Sequence, residues 1–113
     1  MIEKEEYIEI HIGEFLEEEF LKPLGISANA LAIAIKVPAT RIYDIFKGTR
    51  GITLDTDLRL CKYFGMSNGF FLNIQTDIDL DLVKRDISKE LDNIIPYKSR
   101  EKLEEEVKKV RTA

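Results

Sequence analysis

Between Gly25 and Gly51 the chain reads GISANALAIAIKVPATRIYDIFKGTRG, and no other stretch narrows the choice of fold as far. Ser27 is a good N-cap, because its hydroxyl accepts from the orphan amides one turn on, and Leu31, Ala32 and Ile35 behind it keep helical spacing. Ala30 and Ala34 leave that helix small-faced, so that another helix can approach closely. Lys36 and Val37 form a tight turn, and Pro38 opens a second helix, since its fixed φ suits the first helical position and its missing N–H is no loss there. The second helix is predicted from Pro38 to Lys47, with Gly48 as a left-handed C-cap. Ile42 and Ile45 turn inward with Val37, which leaves Ala39, Thr40, Arg41, Tyr43, Asp44 and Lys47 on or near the outer face, followed by the short basic loop Thr49, Arg50 and Gly51.

Small and polar residues at the start of such a helix are what a DNA major groove admits, and basic residues at its far end suit phosphates. The stretch is therefore read as a DNA-reading helix-turn-helix. Thr40 and Tyr43 are expected to touch bases or the groove wall, and Arg41, Lys47 and Arg50 to hold phosphate or sugar. Ser27, Asn29, Ala39, Asp44 and Thr49 are counted with them as DNA-binding candidates.

The formal net charge of −4 argues against this until it is split along the chain. Residues 1–35 hold two bases and eight acids, 36–62 six bases and three acids, and 63–113 nine bases and ten acids, which gives −6, +3 and −1. An acidic whole with a basic middle fits a sequence-specific repressor better than a nonspecific coat, which relies on a wide basic surface.

The string from Ser27 to Thr53, S-x-N-A-L-A-x-A-x-x-V-P-x-x-R-I-x-D-I-x-x-G-x-R-G-I-T, resembles the HigA branch of the Xre/Cro-like repressors, the antitoxins of HigBA toxin–antitoxin pairs. HIGEFLEEEFLKPLGIS at 11–27 is similar to that branch's H-P-G-E-x-L opening, and FFLNIQTDIDL at 70–80 to its F-W-L-N-L-Q-x-x-Y-D-L segment. The resemblance covers about residues 7–97. It departs at Ala28, where many relatives carry a base-reading Gln, at Lys36, which replaces the usual turn Gly, and at Gly69 and Phe71, which alter the F-W start. It implies a lambda-repressor-like fold, a double-stranded operator as partner, and a HigB-like ribonuclease toxin as a second partner to be neutralised.

At 113 residues and 44% hydrophobic, the chain suits one all-α domain of five helices around one core. The expected division is an N-terminal arm at 1–12, a DNA-binding and dimerisation domain at 13–97, and a charged C-terminal helix or tail at 98–113. Tyr7 to Ile12 alternate, which predicts a short strand or extended arm. From Glu14 to Lys22, Leu16, Phe20 and Leu24 continue the four-residue step from Ile12, with Phe15 and Leu21 flanking, so this amphipathic helix packs on the helix-turn-helix until Pro23 and Gly25 end it. Glu14, Glu17 and Glu18, on or beside its exposed face, are the candidate toxin-binding residues, since a ribonuclease must itself present a basic surface to hold RNA.

Thr53 is expected to cap the next helix, with Leu54, Leu58, Cys61 and Phe64 inward. Ser67 is expected to cap the fifth, whose Phe70, Phe71, Ile74, Ile78 and Leu82 are too many large apolar residues for the outside of so small a core. Phe70, Phe71, Ile74 and Ile78 are accordingly the candidate homodimer contacts. Ser99 to Arg111 is expected to form a marginal, mostly charged helix with Leu103, Val107 and Val110 on one side.

Other classes find little support. One Cys and one His cannot build a zinc site, Cys61 suits a core thiol, and His11 suits a loop hydrogen bond. There is no Gly-rich phosphate loop and no nucleophile with a His and an orienting acid, so neither an enzyme nor a cofactor is expected. No apolar run approaches the roughly 18 residues of a membrane span, and an acidic N-terminus is unlike a signal peptide, so the expected location is the cytoplasm. Two further readings stand beside the repressor antitoxin. One is a solitary phage-type repressor, and the other an interaction module that neutralises a toxin without reading DNA, which Ala28 and Asp44 make conceivable.

Overall fold

A computed structural model describes residues 10–97 and 100–112, and every regular element among them is helical. The described residues gather into two compact units, one ending at Val83 and one starting at Lys84. Of the predicted strand, residues 7–9 lie outside the described residues, residues 10 and 11 form no regular element, and Ile12 already begins a helix.

That helix, α1, spans residues 12–24 in three parts: Ile12–Leu16 is α, Glu17–Leu21 is a π-turn, and Lys22–Leu24 is α again. The π-turn changes which residues face the core. Leu16 and Leu21, five apart, are both buried, and Leu24, expected inside, is exposed. A purely α period predicts the four-residue step, but one wider turn delays the apolar stripe by a residue. At the start of α1 the Nδ1 of His11 accepts the Gly13 N–H at 3.1 Å, so the single histidine is a helix cap. Gly13 lies so close to the second helix of the helix-turn-helix that a Cβ there would stand 1.9 Å from the Ile45 carbonyl oxygen. No other residue type fits that crossing without the helices moving apart.

α2 (Ala28–Ile35), α3 (Ala39–Lys47) and α4 (Leu54–Phe64) follow. Leu31, Ala32, Ile35, Ile42 and Ile45 are buried as their spacing predicts. In α4 the inward set is Thr56, Asp57, Leu60 and Cys61, whereas Leu54 is 73% and Leu58 49% exposed. The expectation followed hydrophobicity alone. The helix instead turns a carboxylate inward because that carboxylate has partners there.

α5 (Phe70–Asp86) begins where Asp57 reaches it: Oδ2 accepts the Gly69 N–H at 2.7 Å, and Oδ1 accepts those of Phe71 and Leu72 at 3.0 and 3.1 Å. The expected Ser67 side-chain cap is therefore replaced by a carboxylate from α4. Phe20 joins the layers, its ring 4.9 Å from Phe64, 5.1 Å from Phe71 and 6.0 Å from both Phe15 and Phe70 between centroids. Tilted and edge-on pairs of this kind contribute about 0.5–1.5 kcal/mol each beyond their burial. Phe71, expected at the dimer contact, is 0% exposed at the centre of this cluster and has no surface to offer a second copy.

The second unit holds the end of α5, a short α6 (Ser88–Asp92) and α7 (Arg100–Thr112). α7 is the terminal helix that the sequence predicts, with Val107 and Val110 exposed and Leu103 half-buried. Arg100 and Glu104 pair across one turn at 2.7 Å, an exposed pair of small energetic worth. Among the described residues no helix is long and apolar enough to cross a membrane.

Candidate nucleic-acid interface

The turn between α2 and α3 is built without glycine. Ser27 caps α2, its Oγ accepting the Ala30 N–H at 3.1 Å, and α2 ends at Lys36, the one described non-glycine residue in the left-handed region, at φ 62°. An L side chain there costs about 1–2 kcal/mol. Two contacts hold the conformation: the Val37 N–H donates to the Ala32 carbonyl at 3.0 Å, and Arg59 on α4 donates through one NH1 to the carbonyls of Ile35 and Lys36 at 2.9 and 3.2 Å. Arg59 thus satisfies acceptors that the end of α2 leaves open. Pro38 lies one residue outside α3, extended at ψ 143°.

With Ile42 and Ile45 buried, the opposite face of α3 presents Thr40, Tyr43 and Lys47, all exposed, and the half-buried Asp44. Ala39 sits half-buried on the shoulder of that face. Arg41 occupies the other shoulder and is 27% exposed, with NH1 2.8 Å from Asp55 Oδ2. The same oxygen accepts from Arg59 Nε at 3.0 Å. The guanidiniums of Arg59 and Arg41 together hold the Asp55 carboxyl below its usual range. Arg41, expected to hold phosphate, thus also braces α3 against α4 through Asp55. At the helix end, Gly48 takes φ 81°, and the Asp44 carbonyl oxygen accepts from the Thr49 and Arg50 N–H groups at 3.0 and 3.2 Å and from the Thr49 hydroxyl at 3.2 Å. The loop is clipped to the end of α3, and Arg50, three residues after Lys47, is exposed.

Ser27 and Asn29 are exposed at the start of α2, and Ala28 between them is buried at 9% exposure. Phe70, Ile74 and Ile78 are half-buried on α5. On α1, Glu14 and Glu18 are exposed and Glu17 half-buried. Glu14 lies 3.4 Å from His11 Nε2, and Glu18 pairs with Lys22. Among the described residues no His, Cys, Asp and Glu group able to hold a metal ion occurs. The sequence reading missed Asp55, Asp57, Arg59 and Gln75. The four-residue spacing of Asp55 and Arg59 and the place of Gln75 in the FFLNIQ match were the signals available, because the contacts of Asp57 and Gln75 act across the chain.

No family model matches the chain. Virulence-associated protein I of Dichelobacter nodosus is 48% identical over 93 residues, which is 82% of this chain and 85% of the relative. Antitoxin HigA-1 of Vibrio cholerae is 35% identical over 71 residues, 63% of this chain and 67% of the relative. A solved structure of the Pseudomonas aeruginosa antitoxin HigA with the higBA promoter matches at a TM-score of 0.72 and 38% identity, over 80% of this chain and 100% of its own.

Proposed function

The chain belongs to the HigA family of helix-turn-helix antitoxins, and we propose from that premise that it represses its own promoter as a cytoplasmic homodimer and neutralises a HigB-like ribonuclease toxin. In this reading α3 enters the major groove with Thr40 and Tyr43 toward the bases, while Lys47, Arg50 and Thr49 hold the backbone and Ser27, Asn29, Ala39 and Asp44 border the contact. The observation that carries it is the outer face of α3, where exposed Thr40, Tyr43 and Lys47 run into a loop whose amides are tied to Asp44 and whose Arg50 is exposed. The similar Pseudomonas aeruginosa antitoxin HigA is solved with its higBA promoter, which supports the same kind of ligand here.

A palindromic operator needs two recognition helices about 34–36 Å apart, or a multiple of that, and hence a two-fold dimer. Phe70, Ile74 and Ile78 on α5 remain the proposed contacts. Residues 13–97 then carry DNA binding and dimerisation, with 1–12 as an arm and 98–113 as a tail.

The test is binding to the chain's own promoter over a salt series. Lys47→Ala should weaken binding similarly for all sequences and reduce the salt slope by about 1, while Thr40→Ala or Tyr43→Ala should relax preference at particular base positions by about 1–3 kcal/mol. A Lys47→Ala variant with unchanged affinity and unchanged slope would refute this placement of α3.

A further inference from the structure

Between α3 and α4 the loop residue Ile52 is buried, and both of its backbone polar groups are taken by one side chain. The Ile52 N–H donates to Gln75 Oε1 at 2.7 Å, and Gln75 Nε2 donates to the Ile52 carbonyl at 2.9 Å. The amide of Gln75, on α5, pairs with this peptide as a neighbouring strand does. The preceding residue leaves little room, since a Cβ on Gly51 would stand 3.0 Å from Gln75 Oε1.

The chemistry of this contact selects glutamine. A glutamate has no N–H to give the Ile52 carbonyl, an asparagine is one methylene short, and a leucine leaves a partly buried N–H and C=O without partners. The loop so held is the one that carries Thr49 and Arg50. Its first residues are tied to the Asp44 carbonyl, and its end is fixed by Thr53, whose Oγ1 accepts the Thr56 N–H at 3.3 Å. Gln75 supplies the anchor between these two, and it does so from α5, beside Ile74.

We propose that Gln75 is a positioning residue for DNA binding: its side-chain amide sets the backbone of residues 49–52 on α5, so that Arg50 is presented to phosphate in register with α3. The proposal rests on the reading that α3 and this loop face DNA. It makes α5, which carries the proposed dimer contacts, and the phosphate-binding loop one body, so the spacing of the two loops in a dimer follows the packing of α5.

The experiment uses the full chain and its own promoter, with affinity measured over a salt series for Gln75→Leu, Arg50→Ala and the double variant. If Gln75 acts through the loop, Gln75→Leu lowers affinity about tenfold and reduces the salt slope by about 1, as Arg50→Ala does, and the double variant is hardly worse than either. A role in folding alone shifts the unfolding midpoint without moving the salt slope. Wild-type affinity and slope for Gln75→Leu beside a clear loss for Arg50→Ala, or fully additive losses, overturn the proposal. If Arg50→Ala and Lys47→Ala are both without effect, the DNA-facing reading has failed and the proposal falls with it. Should Gln75→Leu not fold, Gly51→Ala presses on the same amide from the loop side and is read by the same two outcomes.

Discussion

The carboxylate of Asp57, 1% exposed, accepts the backbone N–H of Phe71 at 3.0 Å, and so the N-terminus of α5 is fixed by a residue of α4 twelve to fifteen positions earlier in the chain. The contact ties α4 to the helix proposed for dimerisation. A negative charge is stabilised there because three amides and the positive end of the helix face it.

Asp57→Asn should therefore destabilise the protein by about 1–3 kcal/mol, because one side-chain oxygen becomes an N–H donor facing an amide N–H. Urea unfolding measures this, as a lower midpoint with an unchanged slope. A midpoint equal to the wild type would mean that the helix start is held by other contacts.

Asp55 makes acid stability depend on the brace between α3 and α4. Its carboxyl lies below the ordinary value of 3.8, held there by Arg59 first and Arg41 second. A group depressed in the folded state contributes stability above its unfolded pKa and loses that contribution as the pH falls through the folded one. Asp55→Asn should thus be less stable than the wild type at pH 7, and the gap should close as the pH drops below about 4. Denaturation at a series of pH values tests it, and a gap that stays constant down to pH 2 would rule out Asp55 as its source.

Toxin docking is expected on α1, where Glu14 and Glu18 are exposed and Glu17, half-buried, opens the π-turn. Changing all three to Lys should slow association with a basic toxin and flatten its salt dependence while leaving operator binding nearly intact. The competing site is α7, with Leu103, Val107 and Val110 on one side. If deletion of residues 99–113 abolishes neutralisation and the triple variant still neutralises at the wild-type rate, α1 is not the docking face.

Much of the architecture was legible in residue order because it rests on local chemistry. Ser27 and Thr53 cap the helices predicted from them, Gly48 closes α3 in the left-handed region, and the apolar spacing of Leu31, Ile35, Ile42 and Ile45 marks residues that are all buried. Helix α7 also falls where its pattern places it. These features depend on neighbours within about one turn, and such neighbours are read directly from the string.

What residue order left open was decided by groups brought together from distant positions. Hydrophobicity placed Leu58 inside, and the amide groups opening α5 turned Asp57 inward instead. Charge placed Arg41 among the phosphate contacts, and its partner within the chain, Asp55, lies fourteen residues away. Within α1 itself, the α period placed Leu24 inside, and a single π-turn left Leu21 buried and Leu24 exposed. For Asp57 the local preference is worth about 1 kcal/mol or less, while leaving a buried carboxylate or amide without a partner costs more, so the tertiary partner prevails.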